Sequence, residues 1–490
     1  MTLFPAGAFA GASINIPAGS GIYGELERLE VKGLLKSSML STKPFTRIEG
    51  ARLAGEAEFN WEVLPEGNKK GQAGEIIKRL KGEFGGESSS PAMFIKPIDG
   101  PYAKFLYSAS SPHFTDINNN GDRFSEGMNL RAGFSLNAGF FDSVALNFTP
   151  EYRLDEGGSR GRLLYGYLNV DLSGLLIEAG RDSQWWGPGF HGDLLITNNA
   201  RPFDMVKLTT ARPVVLPWVF GRLGLFKPTA FLTRLEEDRD FPKANLFGMR
   251  LDFKPTPRFQ FGLSRVFMFG GKGRGGLDAG DWLNVLIASD SAEHSASAID
   301  GNQIASIDAS YVYVNKNSYI PFSGVKLYTE WGAEDSSGDT KTPSGRANMY
   351  GAFIDEPFRL EDIDFRIEWA NTARSARYGP QWYTHWKYTT GYTYEGNVIG
   401  HHMGSDARDL FLRAQWHGRS GALAGIEADR ESSGVHSISG ETKRDWLSAD
   451  FSCPYKDVRI SGGLGFEETD SPREGRNSNT AAWINLGWYF

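Results

Sequence analysis

The 490-residue sequence predicts an all-β transmembrane barrel of about 18 antiparallel strands, preceded by a small N-terminal helical segment. Three observations predict it. From Tyr102 onward apolar residues recur with a period of two, so each strand carries one apolar face and one polar or small face. Short turns alternate with long polar loops, as they do when the two rims of a barrel face different compartments. The chain ends AAWINLGWYF, where Ile484, Leu486, Trp488 and Phe490 alternate up to a terminal aromatic.

Composition agrees. Aromatics make up 13% of the residues and glycines number 59, which suits many short strands joined by tight turns. Mean hydropathy is −0.36, and no apolar run reaches the ~18 residues of a membrane-spanning helix. A barrel escapes that test because only every second residue meets lipid. The net charge of −7 argues against a nucleic-acid partner. A single cysteine, Cys453, excludes an internal disulfide.

Taken in order, residues 1–20 open MTLFPAGAFAGAS, a short apolar patch without a basic leader, expected as a signal remnant or a disordered tail. Residues 21–90 read as a periplasmic helical segment and linker. Tyr23, Leu26, Leu29 and Glu30 share a helical face that stops at Gly33. Thr46 and Glu49 form a capping box opening a second helix through Phe59, and GEIIKRLKGEFG supplies a third amphipathic stretch. GGESSSP, residues 85–91, is the linker.

Residues 91–490 form the barrel. Val144, Leu146 and Phe148 oppose Ser143, Ala145, Asn147 and Thr149. Leu164, Leu168, Val170 and Leu172 oppose Tyr165, Tyr167, Asn169 and Asp171. Phe247, Met249, Leu251 and Phe253 oppose Arg250 and Asp252, and Val458, Ile460, Leu464 and Phe466 oppose Arg459, Ser461 and Glu467. Short turns are expected near residues 138–139, 173–174, 255–257, 361–362, 418–421 and 454–455. Long loops are expected at 111–124, 184–204, 271–300, 334–347, 375–408 and 469–479. Closure is required, since an open edge would leave backbone groups unpaired in hydrocarbon. Trp and Tyr near strand ends would form interfacial girdles.

Residues 180–202, GRDSQWWGPGFHGDLLITNNARP, break the alternation. Trp185 and Trp186 are girdle aromatics beside a reversing Gly-Pro-Gly, a saccharide platform, or part of a stretch that folds back and holds the lumen closed. On the second reading Asn198, Asn199 and Arg201 offer amide and guanidinium groups to hydroxyls and carboxylates. Catalysis needs a nucleophile beside a base, and Asp182, Ser183, His191 and Asp193 match no such spacing. The loop 375–408 interleaves Trp382, Tyr383, Trp386 and Tyr392 with Arg377, His385 and Lys387, which suits an oligosaccharide or a self-packed cap. Asp116, Asn118, Asn120 and Asp122 match the opening of a calcium loop, but Gly127 occupies the twelfth position. Otherwise no cofactor is expected. His401-His402 lacks further spaced ligands and reads as loop.

The 180–202 block closely resembles the signature of the Wzi-type capsule assembly family of bacterial outer-membrane proteins. The stretch IYGELERLEVKGLLKSSMLSTKPFTRIEGARLA and the block GYTYEGNVIGHHMGSDARDL, residues 391–410, are similar to other family segments. The resemblance implies an outer-membrane barrel with a periplasmic helical part. It also implies a lectin-like, non-enzymatic role, holding capsular or extracellular polysaccharide at the cell surface. The closing strand is similar to those that barrel assembly machinery recognises, so that machinery and outer-membrane lipid are the other expected partners. The alternative is a porin-like diffusion channel, which needs an open lumen.

Overall fold

Along the strand Phe203–Thr210, Val206 and Leu208 are exposed while Met205, Lys207 and Thr209 are buried. A soluble sandwich would show the reverse. The same inversion recurs around the molecule: Leu263, Ile307, Leu327, Ile426 and Leu464 face outward, whereas Arg250, Asp252, Asp308, Lys326 and Glu330 are buried. The apolar face therefore meets lipid and the polar face lines the interior, as a closed transmembrane barrel requires.

The computed structural model describes residues 11–65, 72–87, 93–275, 277–278, 280–282, 301–315, 317, 319–337, 342–373 and 382–488. Among them 18 antiparallel strands close into one barrel. Each strand pairs with the next in sequence, Val214–Val215 continuing Phe203–Thr210 against the same neighbour. The last strand, Gly475–Trp488, closes the cylinder on the first, Met93–Ser108, with Tyr102 opposite Gly487 and Ser108 opposite Ala481. Backbone groups that an edge would expose are thus paired.

Several boundaries differ from expectation. The turn expected at 138–139 lies at 141–143, where Phe141 and Asp142 take positive φ. The strands Gly324–Ser337 and Thr342–Asp355 run through most of 334–347, and Val458–Ser471 and Gly475–Trp488 through most of 469–479. Both supposed long loops are extensions of hairpins, because polar residues are tolerated in strands that rise beyond the lipid. Leu164, expected on the face of Leu168, is buried. A bulge between the pairs Thr149–Tyr165 and Pro150–Leu163 inserts it and flips the face.

Three helices precede the barrel among the described residues: α1 (Ile22–Val31), α2 (Arg47–Glu62) and α3 (Ala73–Phe84). Thr46 caps α2, its hydroxyl accepting the Glu49 amide at 3.4 Å, but the Glu49 carboxylate turns to Arg52 instead of completing the box. Leu26, Leu29, Leu53, Ala57, Ile76 and Leu80 form the helical core.

This segment enters the barrel from the short-turn rim. Lys32 pairs with Asp355 at 2.5 Å, and Glu30 with Lys254 at 2.6 Å. Of residues 1–20, expected as a signal remnant or disordered tail, the described residues 11–20 are in part lumen filling: Asn15 donates to Glu178 and Asp182, and Ile16 is buried. A charged lumen wall thus binds this polar stretch through Asn15.

Candidate functional site

The 180–202 block leaves the strand Leu175–Asp182 at the long-loop rim and folds back into the lumen. Wall carboxylates capture its backbone. Glu368 accepts the amides of Phe190 and His191 at 2.7 and 2.8 Å, and Glu330 accepts that of Leu194 at 2.7 Å. Gly187 has φ +133, and a Cβ there would collide with the Asp193 carboxylate, so the turn demands glycine. Burial, then the nearby Glu330, pushes the Asp193 carboxyl well up.

Trp185 and Trp186 are buried inside the barrel, neither girdle residues nor an open platform. They pair as a short ladder with Lys43 and Thr42, and the Gly187 amide donates to Ser41 O at 2.8 Å. Here the helical segment from one rim meets the loop from the other.

A second inward loop, from the strand Ile363–Asn371 to Ala407–His417, packs against the first. Trp382, Tyr383, Tyr388 and Tyr392 join Trp186, Leu194, Leu195 and Ile196 in one apolar cluster. Tyr392 Oη donates to Leu195 O at 3.0 Å, and Tyr383 Oη donates to Leu194 O while accepting the His401 amide at 2.8 Å. Gly332 makes room for the Trp382 ring, which a Cβ there would strike. Burial pushes the neighbouring His401 imidazole down to about 3.

Asn198 and Asn199 are buried clamps. Asn198 Nδ2 donates to Asn118 O at 2.8 Å and Asn199 Nδ2 to Val398 O at 3.0 Å. In the calcium-like turn, Asp122 is ion-paired with Arg131 at 2.9 Å and Arg153 at 3.0 Å, so a cation there would compete with two guanidiniums. Asp116 accepts the Phe124 amide at 3.0 Å, and Asn118 and Asn120 take positive φ.

Of the candidate sugar-binding residues among the described ones, three reach the outer loop surface. Trp386 is 68% exposed, with Lys387 Nζ 4.7 Å from its ring centroid. Arg201 is half-buried and pairs with Glu395 at 2.5 Å, beside Arg123, which donates to Gly396 O at 2.8 Å. Arg377 lies outside the described residues. The loop crown therefore carries one open indole with cationic and amide groups nearby, while Trp185, Trp186, Asn198, Asn199, Trp382, Tyr383 and Tyr392 hold the plug together.

The sequence missed Glu330, Glu334 and Glu368, the wall acids that accept loop amides. Their signal was an acidic pair four residues apart on the polar face of one strand.

Comparison with known proteins places this geometry. A family model described as capsule assembly protein Wzi matches residues 100–482. An uncharacterised 55.8 kDa protein of the cps region of Klebsiella pneumoniae is 28% identical over 201 residues, 39% of this chain; the match spans 36% of that relative's length. Wzi of Escherichia coli is an outer membrane protein involved in group 1 capsule assembly and a carbohydrate-binding β-barrel. Its solved structure superposes with TM-score 0.72 at 18% identity, covering 98% of this chain and all of that one. OccK5 (OpdH) of Pseudomonas aeruginosa superposes with TM-score 0.47 at 10% identity, over 80% of this chain and 97% of that one.

Proposed function

The chain belongs to the capsule assembly protein Wzi family, and from that premise we propose that it is an outer-membrane, lectin-like protein that holds capsular or extracellular polysaccharide at the cell surface without catalysing a reaction on it. In this reading the short-turn rim, with α1–α3, lies in the periplasm and the long-loop rim faces outward. Barrel assembly machinery would insert the chain, and lipid would surround its apolar belt.

The observation that carries the reading is the meeting of Thr42 and Lys43 with Trp185 and Trp186 inside the barrel. Both rims contribute plugs, so a polymer has the loop crown as its contact surface. The same closure speaks against a diffusion channel. On the crown, the Trp386 face suits the apolar side of a sugar ring. Lys387, Arg201 and Arg123 suit carboxylate or hydroxyl groups of an acidic polymer. One such patch binds a single repeat weakly. A repeating polymer crossing many copies of the protein gains through effective concentration.

Deleting the gene tests this. Polymer synthesis should continue while polymer appears in the medium instead of on the cell. Cell-bound polymer at wild-type levels would refute the attachment role.

A further inference from the structure

His401-His402 looked like an isolated pair in the sequence, but the fold gives it partners. One ligand atom from each of His191, His402, Asp409 and Asp429 lies within 4.8 Å of the other three. His191 comes from the first inward loop and His402 from the second. Asp409 and Asp429 come from the paired strands Ala407–His417 and Leu423–Ser433, where Asp409 faces Glu431 and Phe411 faces Asp429. The two carboxylates are thus diagonal neighbours on the lumen wall. His191 stacks on Phe411 between them, with ring centroids 4.1 Å apart.

Beyond the Asp409–Asp429 carboxyl pair, hydrogen bonds leave much of the cluster unsatisfied. With both carboxylates ionised, both Asp429 oxygens, Asp409 Oδ1, His191 Nε2 and both His402 nitrogens are buried without a hydrogen bond. His191 Nε2 lies 2.6 Å from Asp429 Oδ2, yet the pair is not aligned as a hydrogen bond. Among the described residues, the ion-pair partners of Asp409 and Asp429 are all histidines. Arginine serves the neighbours: Arg444 pairs with Glu431 and Arg413 with Asp450. Two buried carboxylates facing each other need either a shared proton or a cation.

We propose that His191, His402, Asp409 and Asp429 bind one divalent transition-metal ion, zinc by donor set, which staples both inward loops to the barrel wall. Imidazole nitrogens disfavour calcium and magnesium, whose ligands are oxygens. Four protein donors in a buried place make a closed structural site. Tetrahedral bonds of about 2.0–2.1 Å set donors about 3.3 Å apart. His191 Nε2–Asp409 Oδ2 at 3.5 Å and His402 Nε2–Asp409 Oδ2 at 3.2 Å already match that spacing. The 2.6 Å contact between His191 and Asp429 has to open by less than an ångström. The ion then takes the place of the proton otherwise caught between them, and the carboxylates release that proton to solvent.

The test uses tag-free, full-length protein in detergent, loaded with zinc, dialysed and analysed for metal content. One zinc per chain is expected, and cobalt in its place should give the visible absorption of a tetrahedral nitrogen–oxygen site. His402→Gln and Asp429→Asn should each lose the metal while keeping the heat-modifiable gel migration of a folded barrel. Chelation should lower the unfolding temperature of the wild type and leave both variants unmoved. Substoichiometric zinc in the wild type would overturn the proposal, and the cluster would then be a proton-sharing carboxylate pair. Equal zinc in wild type and both variants would overturn it too, as adventitious binding.

Discussion

Replacing Glu27 with glutamine should loosen the helical plug without touching the barrel. Glu27 sits on α1 and spans two buried cations of the wall, accepting from Arg366 and pairing with Lys326 at 3.0 Å. Burial alone would push its carboxyl up, but Arg366 and Lys326 outweigh it and bring the group from its ordinary 4.5 down to about 2. At about 1.4 kcal/mol per pH unit, that lowering is worth about 3 kcal/mol. Breaking a buried ion pair by removing one partner costs a similar ~3–5 kcal/mol. Glutamine keeps the shape and removes the charge, so opening of the plug should rise by roughly two to three orders of magnitude.

The sign of the pH dependence follows from the lowered folded value. The stabilisation is fully present above pH 4.5 and is lost as pH falls from there toward about 2. Amide exchange across Ile22–Val31 is the assay. Wild-type α1 should be protected at neutral pH and progressively lose protection in acid, while Glu27→Gln should be exposed throughout with a flatter acid profile. Transient conductance in planar bilayers should rise in the variant as well. Identical exchange in the two proteins at neutral pH, or identical acid profiles, would show that the Glu27 bridge does not hold the plug.

The two tryptophans of the second loop should separate by phenotype. Trp386→Ala removes an exposed ring and should weaken polymer binding by about 1–3 kcal/mol, on the scale of a lost aromatic stack, with unchanged thermal unfolding; unaltered affinity in a polymer-binding assay would remove Trp386 from the site. Trp382→Ala empties a buried space against Gly332 and should cost about 3–5 kcal/mol of stability, read as a lowered unfolding midpoint. On the outer face, Leu263 lies beside Leu251 and Ile307. Leu263→Arg should destabilise by about 2–4 kcal/mol in lipid if this row lies at the bilayer midplane, and vesicle-refolding titrations giving no change would place it at an interface.

Much of the barrel was legible because alternation is a local property. The faces of Val144–Asp155 and Asn245–Thr256 follow from residue parity alone, and the Thr46 cap and the Gly33 stop follow from helix chemistry. Parity fails where a bulge inserts a residue, as at Leu164, since the partner strand decides that and its register is not local. Loop length failed at 334–347 and 469–479 for a related reason. Beyond the lipid, polar residues mark a strand extension as readily as a loop.

The site was harder to read because inward and outward loops use the same residues. Trp382, Tyr383 and Tyr392 beside hydrogen-bonding groups would suit a sugar ring or one another. What separates the cases is whether the barrel wall offers acceptors for the loop's own backbone. Glu330 and Glu334 lie four apart on the polar face of Gly324–Ser337, and Glu368 faces the same interior. Acids on a lumen wall are costly unless donors reach them. The amides of Leu194, Tyr383, Phe190 and His191 are those donors. A sequence whose wall-facing carboxylates outrun the cations on neighbouring strands therefore requires a plug, and its aromatic loops should first be assigned to the interior. By that argument Trp386 stands apart, since the plug does not account for its exposure.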